Sequence, residues 1–583
     1  MRSPTDRPFT LPMMQELFTN HELLFREAHR PAAPARASAG EGGGSASAAS
    51  GPGSVRKVGI LGGGTAGWFT ALALRAQLPW LEVTVIESSS IPIIGVGEAS
   101  VPSLVAFLHH TLKLDVLEFT REVQPTWKQG IRFEWGQPGD HVFQAPFDWE
   151  VNGIGMLGSM AETGNVSAFT LQAALMARDA TPIVRTNGQL QSFLPMLAFA
   201  YHLDNARLVA YLRKTAIARG VHHLDRAIVD APLSPRSGSV ETGGEPEIAH
   251  LVTDDGQQLE FDLHVDCSGF RSFLLEGKQG ARFQSYASSL FTDSAIAFNA
   301  PHGGKIKPYT TARTMESGWC WNIPMMDDDH LGYVYSSSHC SDDQALAEAR
   351  GLWPDLGNPR QVRFRSGRHD DLWVGNVYAI GNSYAFVEPL ESTGLLMITR
   401  AIGALVRAFP MSKGSTGMGA TDMGNRVMKR FVNGSIGRDW DRLRWFLAAH
   451  YKFNRRLDSP FWREAREGVD ISGLETALDI FRTCGPLSLL PRAMRGSLNE
   501  IAGVFFYGLH GLDCILLGQG VPCPDLAREN PKLWKARRAT ALEVVRRALP
   551  QAAAQQAVRE HPEWLKQLVE HPSGWVSKMA TYV

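Results

Sequence analysis

Disulfide chemistry has little to work with in this chain. Its 583 residues hold six cysteines (Cys267, Cys320, Cys340, Cys484, Cys514 and Cys523), scattered without CxxC or metal-finger spacing. That pattern excludes a disulfide-built scaffold and a zinc finger, and it fits a reducing compartment. Charge of one sign is also missing, since 58 Lys and Arg face 59 Asp and Glu for a formal net charge of -1. No sequence-wide field then draws the protein to nucleic acid or an anionic membrane, so neither partner is expected. Long apolar runs are scarce. The longest, "IAGVFFYGLHGLDCILLG", is broken by His510 and Asp513 and rich in glycine, which reads as a buried segment rather than a membrane span. The opening "MRSPTDRPFT" has no apolar run behind its positive charges, so no secretory leader is expected and a cytoplasmic location is.

What is present is organised in blocks, with a length that suits about two or three packed modules. Residues 8 to 28 carry a weakly amphipathic helical pattern, and "PAAPARASAGEGGGSASAASGPGS" then runs to residue 54 with almost nothing to bury. Such a stretch cannot offset its ordering entropy and reads as a flexible linker, so 1–54 is expected to be an extension and the catalytic unit to begin at Val55. From "RKVGILGGGTAGWFTALALRAQ" onward, short Val/Ile-rich strands alternate with helical segments, which predicts an α/β module over 55–437. After "STGLLMITRAIGALVRAFP" the pattern turns helical. Helices are predicted near 438 to 456, 474 to 484, 495 to 518, 530 to 548 and 551 to 569, making 438–583 a helical C-terminal region.

The first motif with chemistry is "KVGILGGGTAGW". Gly62, Gly64 and Gly67 form GxGxxG directly after an apolar strand, with Thr65 and Ala66 opening a helix. Glycines there let backbone approach a pyrophosphate, and the helix N-terminus faces its charge. A second strand, "EVTVIES", ends in Glu87, placed to accept a hydrogen bond from a ribose 2′-hydroxyl. Strand, helix, second strand and acid together predict dinucleotide binding, without separating NAD from FAD. Two later strand ends favour FAD: "FDLHVDCSGFRS", running into Asp266 and Ser268-Gly269, and "NVYAIGNSYAFVEPLESTG", ending in Gly381-Asn382 before a loop and a helix. The expected fold is therefore an FAD-binding Rossmann-like sheet of the two-motif kind with a mostly helical C-terminal substrate region.

"GGGTAGW", "IGVGEASVPSL", "WCWNIP" and "FVEPLESTG" together resemble the flavin-dependent halogenases of the tryptophan-halogenase type, and "WCWNIP" matches that family's WxWxIP signature in full. The likeness continues through "YHLDNARLVAYLRKTAIARGV", "GYVYSS" and "AHYKFNRRLDSPFW", covering about residues 55 to 465. The resemblance implies that reduced FAD and O2 form a flavin hydroperoxide, that halide attacks it, and that hypohalous acid travels to a lysine beside the organic substrate. Lys128, in "QPTWKQGIRFEWG", matches that lysine. It would act either as a neutral amine forming a haloamine or as an ammonium polarising hypohalous acid. By periodicity alone Lys128 is a solvent-facing member of a strand. The matching acid is Glu391, with Glu388 as the alternative carboxylate; a cap on the helix beginning near Thr393 is the plain reading of either. Thr393 and Gly394 match the family's halide-binding amides, and "IGVGEASVP" its mobile flavin strap. Trp319, Trp321, Ile323 and Pro324 match a barrier between flavin and substrate. At i and i+2 in a strand, the two indoles would share one face while Cys320 takes the other.

Three features carry less. His109-His110 lacks ligand-spaced partners, so no metal is expected. His202 reads as a satisfied structural histidine at a helix start, and "DRLRWFLAAHYKFNRR" as a solvated helix face. Members of the family that act on free tryptophan carry paired tyrosines where Leu512 and Asp513 stand here, which points away from free L-tryptophan. The expectation is FADH2-dependent chlorination or bromination of an electron-rich aromatic substrate, free or tethered to a carrier protein. Reduced flavin would come from a separate reductase, and a homodimer is left open. An FAD-dependent aromatic hydroxylase and a non-catalytic flavin-binding protein are the rival readings.

Overall fold

The computed structural model describes residues 55–570 apart from 92–96, 148–169, 195–196, 235–244, 246, 410–421, 492–493, 495–507 and 525–530. The extension expected at 1–54, with its helix and linker, lies outside the described residues, as does Gly95 of the expected strap.

The elements that build the site run in chain order as β1 (Lys57–Leu61), α1 (Thr65–Gln77), β2 (Glu82–Glu87), β3 (Thr126–Lys128), β4 (Gly130–Glu134), β5 (Phe143–Pro146) and β6 (Ala200–Leu203). After them come α2 (Asn205–Ala218), β7 (His222–Asp225), β8 (Leu263–Asp266), β9 (Ser294–Ala300), β10 (Thr310–Met315), β11 (Gly318–Pro324) and β12 (Asp329–Tyr335). The last group is β13 (Gly357–Arg363), β14 (Trp373–Val374), β15 (Val377–Ala379), α3 (Gly394–Ala408), α4 (Asp422–Phe453), α5 (Gly508–Gly518) and α6 (Gln551–Glu560).

Two sheets organise these strands. The first is six-stranded in the order β7-β2-β1-β8-β15-β14, with every neighbouring pair parallel except the final β14-β15 hairpin. Its central strands are apolar on both faces, as a covered parallel sheet requires: Val58, Ile60, Val83, Val85 and Val265 are all fully or almost fully buried. The second is seven-stranded in the order β13-β9-β12-β11-β10-β4-β5 and antiparallel but for the β10-β4 pair. A separate small sheet sets β6 between Glu98–Ala99 and β3.

The C-terminal region is helical as expected, with differences at its edges. The helix predicted at 438 to 456 is the end of the 32-residue α4, which runs unbroken through the boundary expected at 437. Helices at Glu475–Cys484 and Pro531–Arg547 lie close to their predicted places. The stretch predicted at 551 to 569 is two helices, Gln551–Glu560 and Glu563–Glu570, because Pro562 cannot continue the first. Of the segment predicted at 495 to 518, residues 495–507 lie outside the described ones and α5 covers the rest. Among the described residues no helix is long and apolar enough to cross a membrane.

Candidate active site

The glycine-rich turn after β1 is shaped by close backbone approach. Gly62 has φ +120°, and a Cβ there would stand 2.2 Å from the Cys267 carbonyl oxygen. A Cβ on Gly67 would come within 1.9 Å of the Gly62 oxygen, so only glycine lets α1 pack this near β1. Gly64 is different, because a Cβ there would meet nothing within 4 Å. The open side of the turn therefore leads to the N-terminus of α1, whose N-cap Gly64 supplies no side-chain hydrogen bond. Free amides and an open approach suit a pyrophosphate. Glu87, at the end of β2, is held by His223 Nε2 at 2.9 Å and Arg213 at 3.6 Å. The second motif meets the first: Gly381, φ +74°, would bring a Cβ to 3.3 Å from the Ala66 Cβ. Asp266 is buried and accepts from Ser268 N at 3.0 Å, Leu274 N at 2.8 Å and Leu275 N at 2.9 Å, which fixes the loop behind the turn. Exposed Asn382 lines a cavity of about 200 Å³ with Phe270, Phe283, Arg365, His369 and Phe386. These residues fit FAD: an open glycine turn, an uncapped helix start, a strand-end carboxylate and a second glycine turn beside the first.

One tie between this cradle and the strap segment was not legible in the sequence. Thr65 Oγ1 donates to Glu98 Oε1 at 3.2 Å, and Asn205 Nδ2 at the start of α2 donates to the same oxygen at 2.5 Å. Burial pushes the Glu98 carboxyl above its usual range, with these two donors pulling the other way.

Lys128 corrects the periodicity reading, which put it in solvent; it is fully buried, as are Thr126 and Trp127 before it. Strand β3 has no solvent face. One edge pairs with β6, with Lys128 opposite Ala200. On the other edge Gln551 of α6 imitates a neighbouring strand: its Nε2 donates to the Trp127 carbonyl at 3.1 Å, and its Oε1 accepts from the Trp127 amide at 3.2 Å. Lys128 Nζ donates to Ser392 Oγ at 2.6 Å and lies 5.4 Å from the centre of the Phe147 ring. Burial pushes its ammonium down to about 7, against the pull of the Glu391 carboxylate.

The loop 388–393 supplies the acids, and neither caps a helix. Glu391 Oε1 is 2.7 Å from His450 Nε2 on α4, both groups being buried. Glu388 Oε2 accepts from Trp319 Nε1 at 3.0 Å, Tyr451 OH at 2.6 Å and Thr292 Oγ1 at 2.7 Å. Burial raises the Glu388 carboxyl while those three donors oppose the shift. Glu388 thus belongs to the tryptophan wall and Glu391 to the lysine. Helix α3 starts at Gly394 with Thr393 as an N-cap that makes no side-chain cap. The Thr393 hydroxyl is buried without a hydrogen-bond partner among the described residues, and a Cβ on Gly394 would meet none of them within 4 Å.

The tryptophans of β11 behave as alternation demands. Trp319, Trp321 and Ile323 pack into the main core, while Cys320 joins a separate cluster on the other face. The two indole centres lie 6.0 Å apart at 60°. Room for Trp321 comes from Gly332 opposite, where a Cβ would fall 1.9 Å from the indole. Pro324 ties the wall to the lysine strand, its carbonyl accepting from Thr126 Oγ1 at 2.6 Å.

Other expectations resolve simply. His202 sits in β6 rather than at the helix start, and it is satisfied by Thr126 and Thr310, each at 3.0 Å. His109 uses both ring nitrogens, on the Leu114 carbonyl at 3.0 Å and the Tyr201 hydroxyl at 3.2 Å. The segment read as a solvated face buries Leu443, Phe446, Leu447 and His450. Ser392 and His450 are the site residues that sequence reasoning missed. Ser392 lies inside "LESTG" and His450 inside "AHYKFN", both within stretches that carry the resemblance, but neither residue type announces its partner. Asp513 is spent internally, accepting from Leu487 N at 2.7 Å and Ser488 N at 2.9 Å, and Leu512 is fully buried.

A parallel sheet with a dinucleotide cradle, beside a fully buried lysine and a pair of packed indoles, defines a protein of the FAD-binding class. Comparison with known proteins narrows that class. The tryptophan halogenase family profile matches residues 57–552. Tryptophan 7-halogenase RebH of Lentzea aerocolonigenes is 31% identical over 509 residues, which cover 82% of this chain and 92% of that protein. Among solved structures, MibH, a lathipeptide tryptophan 5-halogenase, superposes with a TM-score of 0.84 at 47% identity, covering 92% of this chain and 99% of its own. Tryptophan 6-halogenase SttH of Streptomyces toxytricini gives 0.73 at 30% identity, covering 86% and 99%. The chain belongs to the tryptophan halogenase family. It is an oxidoreductase, a flavin-dependent halogenase acting on an aromatic substrate.

Proposed function

We propose that this enzyme halogenates the indole of a tryptophan held within a peptide, with Lys128 carrying the halogen. The observation that carries the lysine's role is its complete burial beside Ser392 and Glu391, on a strand bonded to the WxWxIP segment. Reduced FAD, supplied by a separate reductase and bound at Gly62, Gly64, Thr65, Ala66, Gly67, Glu87, Gly381 and Asn382, provides the electrons with which O2 converts halide to hypohalous acid. Thr393 and Gly394 hold the halide at the uncapped start of α3, where amides and a buried hydroxyl with no partner among the described residues favour an anion. Trp319, Trp321, Ile323 and Pro324 keep the organic substrate away from the flavin.

The lysine step balances as an exchange. Neutral Lys128 gives up one N–H to hypohalous acid, forming an N–halogen bond and releasing water. The ring carbon of the indole then takes the halogen, Glu391 receives the ring proton, and the lysine nitrogen recovers a proton from it. An amine held near 7 is available in its neutral form at physiological pH, where an exposed lysine would be almost wholly charged.

The peptide assignment is supported by two differences. MibH, whose name states a lathipeptide tryptophan, shares 47% of aligned residues, against 30 to 31% for SttH and RebH. Asp513 and Leu512 are also turned inward, so neither can hold the charged groups of a free amino acid. The test is incubation with FAD, reductase, NADH and chloride or bromide, offering a tryptophan-containing peptide and free L-tryptophan in parallel under mass spectrometry. Halogenated peptide with little halogenated amino acid is expected. Hydroxylated product without halogen defeats the lysine route, and preference for the free amino acid defeats the substrate assignment.

A further inference from the structure

The contact between Glu391 and His450 carries a proton count. His450 Nδ1 lies 2.9 Å from the Phe446 carbonyl oxygen, which can only accept. Its Nε2 lies 2.7 Å from Glu391 Oε1, which as a carboxylate can also only accept. A neutral imidazole has one N–H and cannot satisfy two acceptors. One additional proton must therefore sit between Nε2 and Oε1, either on the ring as imidazolium or on Glu391 as a neutral acid donating to the ring. Both arrangements hold the same number of protons and differ only in which side of a 2.7 Å bond the proton occupies.

The surroundings favour exchange between the two over exchange with water. His450 is fully buried and Glu391 is 2% exposed. Phe133 and Phe446 pack on the imidazole at 5.5 and 5.1 Å, and Trp135 lies edge-on at 6.4 Å. Trp135 Nε1 also donates to the His450 backbone carbonyl at 2.9 Å, fixing that turn of α4 against β4. Among the described residues, Lys128 from β3 and Cys514 from α5 act on Glu391, and Glu388 from the same loop acts on His450, beside its own neighbour Tyr451. Burial keeps the Cys514 thiol and the Tyr451 phenol neutral, while His450 Nε2 lies within hydrogen-bond distance of Glu391.

We infer that His450 is a positioning residue that makes Glu391 a two-site proton acceptor: the proton leaving the substrate ring is taken at Glu391 while the proton already shared shifts fully onto Nε2. The lysine nitrogen draws its proton back from Glu391, and the pair returns to its starting count. This rests on the proposed roles of Lys128 and Glu391 and deepens them, adding a residue on α4 that orients the carboxylate and accommodates its charge without water.

Two measurements test it. Nitrogen-15 NMR of histidine-labelled enzyme, with the His450 signals assigned by their loss in His450→Gln, is expected to show Nδ1 protonated, and Glu391→Gln should shift the Nε2 signal as the shared proton is lost. An Nδ1 without a proton overturns the inference, and this arm needs no substrate. For the second measurement, FAD-loaded His450→Gln is assayed with reductase, chloride and a tryptophan-containing peptide. Glutamine retains an N–H donor toward Glu391 but cannot take up a proton. Halogenated product per flavin oxidised is expected to fall at least tenfold with KM unchanged. An unchanged yield in a variant that melts like wild type overturns the inference. No halogenation by wild type defeats the proposed function instead, with the NMR result still deciding the proton count.

Discussion

Trp319 Nε1 donates to Glu388 Oε2 at 3.0 Å, and that oxygen also accepts from Tyr451 and Thr292. The indole wall is therefore fixed by a buried carboxylate from the loop that also carries Glu391. Glu388→Ala strips an acceptor from three donors at once. Leaving buried donors unsatisfied costs about 1–3 kcal/mol each before relaxation, so a total loss of about 3–5 kcal/mol is expected. Urea denaturation checks this, with Thr292→Val as a control that should lose only about 1 kcal/mol. A loss for Glu388→Ala no greater than the control's would remove Glu388 from its role in the wall.

The wall can be disturbed from its other side. Alanine at Gly332 would drive a methyl into the Trp321 indole, with its Cβ 1.9 Å from the ring. Overpacking of this kind costs about 1–3 kcal/mol, and the indole must move to relieve it. Gly332→Ala is expected to melt earlier and to give less halogenated product per flavin oxidised, because a displaced indole no longer separates the two halves of the site. Wild-type coupling in a destabilised Gly332→Ala enzyme would show that Trp321 does not act as the barrier.

Lys128 links stability and activity to pH. Its ammonium titrates at about 7 in the folded protein against 10.5 for the free side chain. Between those values the unfolded chain binds the additional proton, so stability rises with pH through the window, by about 1 kcal/mol per unit at most. Below about 7 both states are protonated and the cost of the buried charge is fully present. Lys128→Met is expected to abolish that slope, measured by urea melts between pH 7 and 10, and to end halogenation while flavin oxidation continues. In the wild-type enzyme the haloamine route predicts halogenation falling toward acid below about 7; a decline as pH rises through 7 would assign the ammonium form instead.

Some of this site was legible before the fold. The GxGxxG spacing, the strand-end Glu87 and the alternation in "WCWNIP" are local rules, set by backbone sterics and side-chain period, and they place residues correctly from sequence. Lys128 was not legible, because alternation assumes one wet face and β3 has none: Thr126, Trp127 and Lys128 are all buried, and Ser392 and Phe147, distant in sequence, meet the lysine side chain. His450 was hidden for a related reason. The charges around it in sequence suggest a wet helix face, yet Phe446 to Tyr451 are all buried, and only the long-range meeting of α4 with the 388–393 loop makes His450 the partner of Glu391. Long-range pairings of this kind leave no periodic trace in either segment.

Asp513 offers the sharpest separation between structural and substrate-facing acids. Both its oxygens accept backbone amides, from Leu487 and Ser488. Burial lifts its carboxyl to about 7 from 3.8, despite those donors. Between these values the folded state binds the additional proton, so this group's contribution to stability falls as pH rises from about 4 to 7 and the full cost of the buried charge is present above. Asp513→Asn removes that titration. Relative to wild type the variant should gain about 1 kcal/mol per pH unit at most across the window, offset by whatever the amide loses as an acceptor. Because the side chain faces its own backbone, KM for a tryptophan-containing peptide is expected to stay within about twofold of wild type, consistent with no lost hydrogen bond to substrate. A large rise in KM without a change in the melt would place Asp513 on the substrate after all, and would reopen the choice between a peptide and a free amino acid.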